Sequence, residues 1–230
     1  MLFRSMSHVE TGEAKENALL LLDYLTPIAK SYPSEMACLT TSAAVQIHGG
    51  AGYTTEFPVE QYYRETRIHP IHEGTTAIHG IDLLGRKTLM KNGKAAQLFA
   101  AEIDKTWAAA AVFPQLDPLS IELQKASKEA QKVTNHLLNL SKTDIEAAFS
   151  DATLYLDMVG IITIAWQWLR QAVVAQKALN DNPSVDTDFY QGKIRTAKYF
   201  YAYELSRVEG LAKRLMSDDK VTIEMQNAWF

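Results

Sequence analysis

The sequence predicts an all-α protein. Apolar residues recur at spacings of three and four positions along most of the 230 residues, and no stretch sustains the apolar–polar alternation of a half-buried strand. Hydrophobic residues make up 47% of the chain and charged residues 22%, which is ordinary for a globular protein and argues against disorder. The length suffices for one sizeable helical domain, or for two smaller ones that share a core.

Two helices are predicted at the start of the chain. The first covers about residues 13–32 and contains Pro27, at which we expect a kink or an early break because proline lacks the N–H of the helix ladder. The second covers about residues 34–48. It ends at Gly49-Gly50, because glycine readily adopts the positive φ of a helix terminus.

Three further segments follow before the middle of the chain. Residues 51–57 are predicted to form a loop, and Pro58 opens a short helix to about Arg67, since the first helical position needs no N–H. His69-Pro70 interrupts the chain again, because a residue before proline is disfavoured in helical geometry. A helix is then predicted from Gly74-Thr75 to about Met90, closed by Asn92-Gly93.

The remainder of the sequence predicts a second layer of helices. Thr143 and Glu146 have the spacing of a capping box at the head of the longest of them. The predicted helices cover about residues 95–112, 120–140, 143–179 and 186–215, with a turn at Asp181-Asn182-Pro183-Ser184. Asn92-Gly93 is the best boundary, which divides the chain into predicted domains of residues 1–92 and 93–230.

Composition excludes several classes of function. The net charge is −4 without a basic block, so nothing indicates nucleic-acid binding. The single cysteine, Cys38, excludes an internal disulfide and is interpreted as a small buried residue in a reducing compartment. No uninterrupted apolar run reaches the length of a membrane span, and the best candidate, Val159 to Trp168, is too short. The first five residues lack the features of a secretory signal. Together, these three observations predict a cytoplasmic protein.

One region carries chemistry. Gly49, Gly50 and Gly52 would let backbone N–H groups approach a ligand such as a phosphate. Thr75-Thr76 opens a helix, where free N–H groups and the helix dipole favour an anion. Glu73 lies just before that helix, beside a glycine, so its carboxylate could be held against a substrate. Each feature taken alone fits helix capping equally well.

The histidines of this region do not predict a metal site. The spacing of His48, His69 and His72 matches no standard ligand pattern, and we interpret them as structural.

The ordered combination of motifs is more specific than its parts. Q-I-H-G-G-A-G-Y (46–53), E-F-P-V-E-Q-Y-Y-R (56–64), H-E-G-T-T (72–76) and D-L-L-G-R-K (82–87) resemble the carboxyl-terminal helical domain of acyl-CoA dehydrogenases, closest to the long bacterial type that includes 3-methylmercaptopropionyl-CoA dehydrogenase. F-Y-Q-G-K and T-A-K-Y-F, between residues 189 and 200, resemble the extra helical domain of that type. The resemblance implies a partial helical bundle of this family followed by an additional helical domain. Since the family also has an amino-terminal helical domain and a central β-domain, it implies that the chain is a fragment.

The resemblance implies a role for particular residues. In the family, the glutamate of the E-G-T stretch removes the α-proton of an acyl-CoA thioester while a hydride leaves the β-carbon for FAD; here that base would be Glu73, and Gly74 would contact the substrate. The backbone N–H of the glutamate would also bind the thioester oxygen. The implied FAD contacts are Thr75, Thr76 and Ala77, together with Gln46, Ile47, His48, Gly49 and Gly50 toward the FAD of a neighbouring subunit. The implied partners are an electron-transfer flavoprotein and further copies of the chain in a homo-oligomer.

Two alternatives stay open from the sequence. The chain could be a catalytically silent helical module for oligomerisation or partner binding, or a flavoprotein relative from the alkylation response. The intact H-E-G-T-T stretch favours the enzyme. His72, Ala51 and His79 stand where many relatives have Tyr, an aromatic residue and Gln, which affects the shape of the substrate pocket and not the base.

Overall fold

The computed structural model describes residues 2–181 and 186–230. Over these residues the chain is helical and forms no strand, as the sequence predicts. The α-helices are α1 (Leu2–Val9), α2 (Gly12–His48), α3 (Val59–Thr66), α4 (Thr76–Ile81), α5 (Met90–Ala111), α6 (Asp117–Leu140), α7 (Ile145–Phe149), α8 (Ala152–Asp181), α9 (Thr187–Phe200) and α10 (Arg207–Leu215). Shorter turns complete the fold: 3₁₀ turns at Gly49–Tyr53 and Asn227–Trp229, and π-helical turns at Asp82–Lys87 and Tyr201–Leu205.

The early break predicted near Pro27, and the division into helices over residues 13–32 and 34–48, are wrong. Residues 12–48 form one continuous helix that contains both Pro27 and Pro33. An interior proline costs about 3 kcal/mol because it removes a ladder hydrogen bond. Burial of Tyr24, Ile28 and Tyr32, each less than 10% exposed, offsets that cost, at about 1.5–3 kcal/mol for a large side chain. The sequence pattern could not show this, because the partners of these side chains lie far along the chain.

The predicted helix over residues 74–90 is shorter than expected. It starts at Thr76 and changes after Ile81 into a π-helical turn, in which the Thr88 N–H and hydroxyl both donate to the Leu83 carbonyl, at 3.0 and 2.7 Å. The predicted interruption at Asn92-Gly93 is confirmed. Lys91, Asn92 and Gly93 have φ of 50°, 58° and 83°, in the left-handed region, and they separate the start of α5 from its regular part.

The capping box predicted at Thr143 and Glu146 is also wrong. Asp144, in an extended conformation, caps α7 instead, by accepting the Ala147 N–H at 3.0 Å. The Thr143 hydroxyl turns back to donate to the Leu140 carbonyl at 3.2 Å. The helix then ends at Phe149, so the single long helix expected from the sequence is two. In the predicted turn at 181–184, the residues after Asp181 lie outside the described ranges.

The core is centred on α8, which contributes fifteen buried residues. Trp166 is 1% exposed; its indole N–H donates to the Thr106 hydroxyl at 2.7 Å, and its ring lies edge-on to Phe99. Gly160 allows close approach of α2, because a Cβ there would lie 2.5 Å from the Tyr32 ring. The buried cluster runs from Leu21 to Leu215. The core is therefore shared across the predicted boundary at residues 92 and 93, and the division into two domains stays a prediction.

By length and composition alone, one segment of the described chain is long and apolar enough to cross a membrane. It covers residues 145–181 and has a mean hydropathy of 1.4 over its most apolar window. More than half of that window, 56%, is buried inside the protein, as in the core helix of a soluble protein. Its apolar character is therefore explained by its place at the centre of the bundle.

Candidate active site

The loop between α3 and α4, residues 67–75, carries the predicted base. The side chain of Glu73 is exposed to solvent. Gly74 follows with φ of 79°, a conformation that residues with a side chain rarely adopt. A Cβ at Gly74 would also lie 2.2 Å from Nε2 of His79. Glycine is thus required here both by the backbone conformation and by the imidazole ring packed against it.

Lys30 of α2 holds this loop. Its ammonium group donates hydrogen bonds to the carbonyls of His69 and Gly74, both at 2.7 Å, and to the carbonyl of His72 at 3.3 Å. Sequence reasoning missed Lys30, because its partners are 39 to 44 residues away. No local pattern distinguishes it from Lys15, the other lysine of α2.

The start of α4 is held by a second residue of α2. The Thr76 hydroxyl donates to the Glu35 carboxylate at 2.5 Å. Within the described residues, the backbone N–H groups of residues 73–75 donate to no protein acceptor. These N–H groups therefore remain available to a ligand that brings its own acceptors, as the sequence suggested for the helix start.

The second set of predicted cofactor contacts lies at the other end of α2. Residues 46–50 are all exposed, Ile47 to 85%. Gly49 ends the helix with φ of 61°, and nothing lies within 4 Å of where a Cβ of Gly49 or Gly50 would be. The backbone at this turn is therefore open to close approach. His48 packs its ring against Phe57, with 5.2 Å between the ring centroids.

The structure brings together one part of the predicted site and not the other. Glu73, Gly74, Thr75 and Thr76 form a continuous surface next to Lys30 and Glu35, and Ala77 follows with an exposed side chain. Gln46 follows Glu35 by eleven residues on α2, so the two lie about 16 Å apart along the helix axis. Residues 46–50 therefore do not meet the Glu73 loop within one chain.

Short polar contacts attach α3 to α2. The Cys38 thiol approaches the Thr66 carbonyl at 3.6 Å, and the hydroxyls of Thr41 and Thr66 are 3.0 Å apart. Cys38 is half-buried, so the prediction of a buried cysteine is only partly correct. Sequence reasoning did not identify the two threonines.

The described residues contain no group of three or more His, Cys, Asp and Glu side chains that could hold a metal ion. His69 and His72 are neighbours, with ring centroids 6.1 Å apart, and Nδ1 of His72 is 3.0 Å from the Ile68 carbonyl oxygen. An apolar cleft of about 450 Å³ lies on the outer side of α4 and reaches α7, but it does not include Glu73.

Comparison with known families identifies the chain. Residues 1–88 match the sequence model described as acyl-CoA dehydrogenase, C-terminal domain, and residues 99–226 match the model described as acetyl-CoA dehydrogenase C-terminal like. The second match alone covers more than half of the chain. The chain therefore belongs to the acyl-CoA dehydrogenase family and corresponds to its carboxyl-terminal helical part.

Two curated relatives place the chain within the family. It is 36% identical over 195 residues to 3-methylmercaptopropionyl-CoA dehydrogenase of Ruegeria pomeroyi, which covers 82% of this chain and 32% of that protein. It is 28% identical over 233 residues to the broad-specificity linear acyl-CoA dehydrogenase FadE5 of Mycobacterium tuberculosis, covering 98% of this chain and 38% of that protein. The chain thus spans about a third of the length of these relatives.

A solved structure shows the same fold. The acyl-CoA dehydrogenase of Bacillus anthracis, crystallised with FAD, superposes on 99% of this chain with a TM-score of 0.71 at 19% sequence identity. The superposition uses 39% of that chain.

Proposed function

We propose that this chain forms the carboxyl-terminal part of an FAD-dependent acyl-CoA dehydrogenase in which Glu73 removes the α-proton of the substrate. The observation that carries the proposal is the setting of Glu73. Its carboxylate is exposed on a loop whose carbonyls bind Lys30, beside backbone N–H groups that have no acceptor in the described chain. Such a loop presents a base and hydrogen-bond donors toward one ligand.

The proposed reaction uses the carboxylate and the backbone of the same residue. The Glu73 carboxylate forms a bond to the α-proton, and the electron pair of the broken Cα–H bond becomes the second bond between the α- and β-carbons. FAD, when bound, supplies the acceptor for the hydride that leaves the β-carbon. The Glu73 N–H donates to the thioester oxygen and stabilises the negative charge that develops there. Gly74, whose φ of 79° suits glycine, would contact the substrate through its backbone beside the base.

The cofactor contacts are proposed for the two sets of residues separately. Thr75, Thr76 and Ala77 lie at the start of α4, where backbone donors suit a diphosphate. Gln46, Ile47, His48, Gly49 and Gly50 lie about 16 Å away along α2 and form a separate, exposed set of contacts. We propose that this second set contacts the FAD of a neighbouring subunit, which requires a homo-oligomer.

The remaining assignments rest on family membership. We propose an acyl-CoA as the substrate and an electron-transfer flavoprotein as the electron acceptor. A cytoplasmic location stays a prediction.

The visible absorption spectrum tests the cofactor. We would purify residues 1–230 and the longest natural form of the protein that contains them, and record each with and without added FAD. A bound flavin spectrum that an acyl-CoA bleaches anaerobically supports the proposal. Absence of bound flavin from both preparations contradicts it, and favours a silent helical module.

The Glu73→Gln variant tests the base. It should still bind FAD and acyl-CoA, but its turnover should fall by about 10²- to 10⁴-fold, the range typical of a positioned general base. Glu16→Gln is a matched control, because Glu16 is an exposed glutamate on α2 outside the proposed site. Turnover is measured with an artificial electron acceptor under identical conditions. Near-normal turnover of Glu73→Gln would refute the assignment.

A further inference from the structure

We propose that Lys30 is a positioning residue for the proposed base, because its ammonium group fixes the backbone of the loop that carries Glu73. The hydrogen bonds from Lys30 to the loop, which we call the tether, are observed in the structure. The catalytic consequence of the tether rests on the proposed function.

The first argument is the match between donors and acceptors. A lysine ammonium has three N–H donors and no acceptor. All three are directed to one loop, at 2.7 Å to His69, 2.7 Å to Gly74 and 3.3 Å to His72. A cationic donor makes a stronger hydrogen bond than a neutral one, so this is a firm attachment for an irregular loop.

The second argument is that these carbonyls lack other donors. Within the described residues, no backbone N–H donates to the carbonyl of His69, His72 or Gly74. The hydrogen bonds within the loop are local in sequence and use another acceptor: the N–H groups of Ile71 and His72 donate to the Ile68 carbonyl, both at 3.0 Å. Without Lys30, the carbonyls on both sides of Glu73 would have only water as a partner.

The third argument is the rigidity of the attachment point. Lys30 lies on α2 between Ile28, which is 2% exposed, and Tyr32, which is 7% exposed. The bundle core therefore fixes the Cα of Lys30. Since the Gly74 carbonyl directly follows Glu73 in sequence, a bond to it limits how far the Glu73 carboxylate can move relative to the bundle.

Hydrogen exchange tests the tether without any cofactor or substrate. In the chain of residues 1–230, Lys30→Met should accelerate exchange at least tenfold at the hydrogen-bonded amides of Ile71, His72 and His79, which are followed in peptides covering residues 68–79. Lys15→Met, the same change at an exposed lysine of the same helix, should leave those peptides unchanged. Peptides covering residues 155–169 of α8 report on global unfolding and should not change in either variant. Wild-type exchange of residues 68–79 in Lys30→Met would overturn the proposal.

A second substitution covers the case in which Lys30→Met fails to fold, which faster exchange in α8 would reveal. Lys30→Gln keeps a polar side chain, but it has no charge and only two N–H donors for the three carbonyls. Its loop should exchange faster than in the wild type while α8 stays protected. Wild-type loop exchange in Lys30→Gln would then overturn the proposal.

Kinetics on the longest natural form test the catalytic consequence. Lys30→Met should lower kcat by more than tenfold with flavin content unchanged. If Lys30 acts through Glu73, the double variant Lys30→Met/Glu73→Gln should turn over no more slowly than Glu73→Gln alone. Unchanged kcat in Lys30→Met, or effects that multiply in the double variant, would overturn the positioning role. Near-normal turnover of Glu73→Gln would instead overturn the proposed function and leave the exchange result standing.

Discussion

The helix α2 belongs to two regions of different construction. From residue 18 to residue 32 it is part of the bundle, with Leu21, Tyr24 and Ile28 all less than 5% exposed. After residue 32 it has no buried residue, although Met36 still packs against the core, and residues 33–75 form what we call the arm. The only buried residues of the arm are Gly52, Val59 and Pro70. The arm therefore lacks a hydrophobic core of its own.

The two regions are consequently stabilised by different interactions. In the bundle, α8 alone buries fifteen residues, among them Trp166 and Leu169. The arm is held mainly by polar contacts: the ammonium of Lys30, in the bundle part of α2, binds the loop carbonyls, and Thr41 contacts Thr66. The proposed site residues 46–50 and 73–75 lie in the arm. This division is common in proteins, because binding residues concentrate on segments that a rigid scaffold positions.

The largest expected difference between the regions comes from one substitution made in each. Ile161 in α8 is 0% exposed and Ile47 in the arm is 85% exposed. Ile161→Ala should lower the free energy of unfolding by about 2–5 kcal/mol, because it removes buried methyl groups and leaves a cavity. Ile47→Ala should change it by less than about 0.5 kcal/mol, as is usual at the surface. Urea unfolding of residues 1–230, followed by circular dichroism, measures both.

A large loss in Ile47→Ala would mean that residues 1–230 already associate through the arm, in the way that the proposed homo-oligomer of the full protein requires. Repeating the measurement at two protein concentrations would separate this case, since association makes the midpoint depend on concentration. The difference in free energy of unfolding between the two variants would then no longer compare the bundle with an uncovered arm.

A second pair of variants tests the junction where the chain returns from the arm to the bundle. A Cβ at Gly80 of α4 would lie 2.6 Å from the backbone carbonyl oxygen of Ala152, which cannot move aside as a side chain can. Gly80→Ala should therefore destabilise by about 1–3 kcal/mol through overpacking. Gly192→Ala is the control, because Gly192 is exposed within α9 and has nothing within 4 Å of its Cβ position. It should stabilise by about 0.5–1 kcal/mol through helix propensity.

Thermal unfolding compares the two glycine variants. Equal stabilisation by both substitutions would show that α4 is not packed closely on α8, and the junction between arm and bundle would be looser than the structure indicates.

The sequence predicted the elements well where the evidence is local. Gly49 and Gly93 do end or interrupt helices, with φ of 61° and 83°, and Asp186 begins α9 by accepting the Phe189 N–H. Predictions failed where distant contacts decide. Pro27 does not break α2, because that turn is buried against the bundle. The capping prediction failed for a local reason instead, because Asp144, the residue after Thr143, takes the cap position of α7.

Sequence motifs predicted the residues of the candidate site, but they could not predict the residues that hold these in place. Glu73, Gly74 and the two threonines stand out in the sequence by their order. Lys30 and Glu35 lie about forty residues earlier on a helix whose pattern only reports which face is apolar. Polar contacts of this kind have no period, so reading them requires the three-dimensional arrangement. The residues that orient a site are for this reason harder to predict than the residues that act in it.

The smallest expected effect concerns tyrosines of the two regions at alkaline pH. Burial raises the pKa of Tyr32, at the end of the bundle part of α2, from 10.0 to about 12, and the charges of Asp157 and Glu204 add to the rise. The folded state therefore keeps a proton that the unfolded state loses. The contribution of Tyr32 to stability is complete below pH 10 and is lost as the pH rises from 10 toward 12. Tyr53 in the arm is 85% exposed and serves as the comparison.

Tyr32→Phe keeps the ring that packs against Gly160 and removes the ionisable hydroxyl. Its unfolding constant should match that of the wild type to within a few-fold at pH 9. Between pH 10 and 12 the wild-type constant should rise more steeply, by at most about tenfold per pH unit, because the variant has one proton fewer to lose on unfolding. The other buried tyrosines are present in both proteins, so their contributions cancel in this comparison. Tyr53→Phe is the control variant, because it removes only a solvent-exposed hydroxyl. Urea unfolding at pH 9, 10 and 11 measures the three slopes.

Equal slopes for Tyr32→Phe and the wild type would place Tyr32 in solvent, and the boundary between bundle and arm would then lie before residue 32.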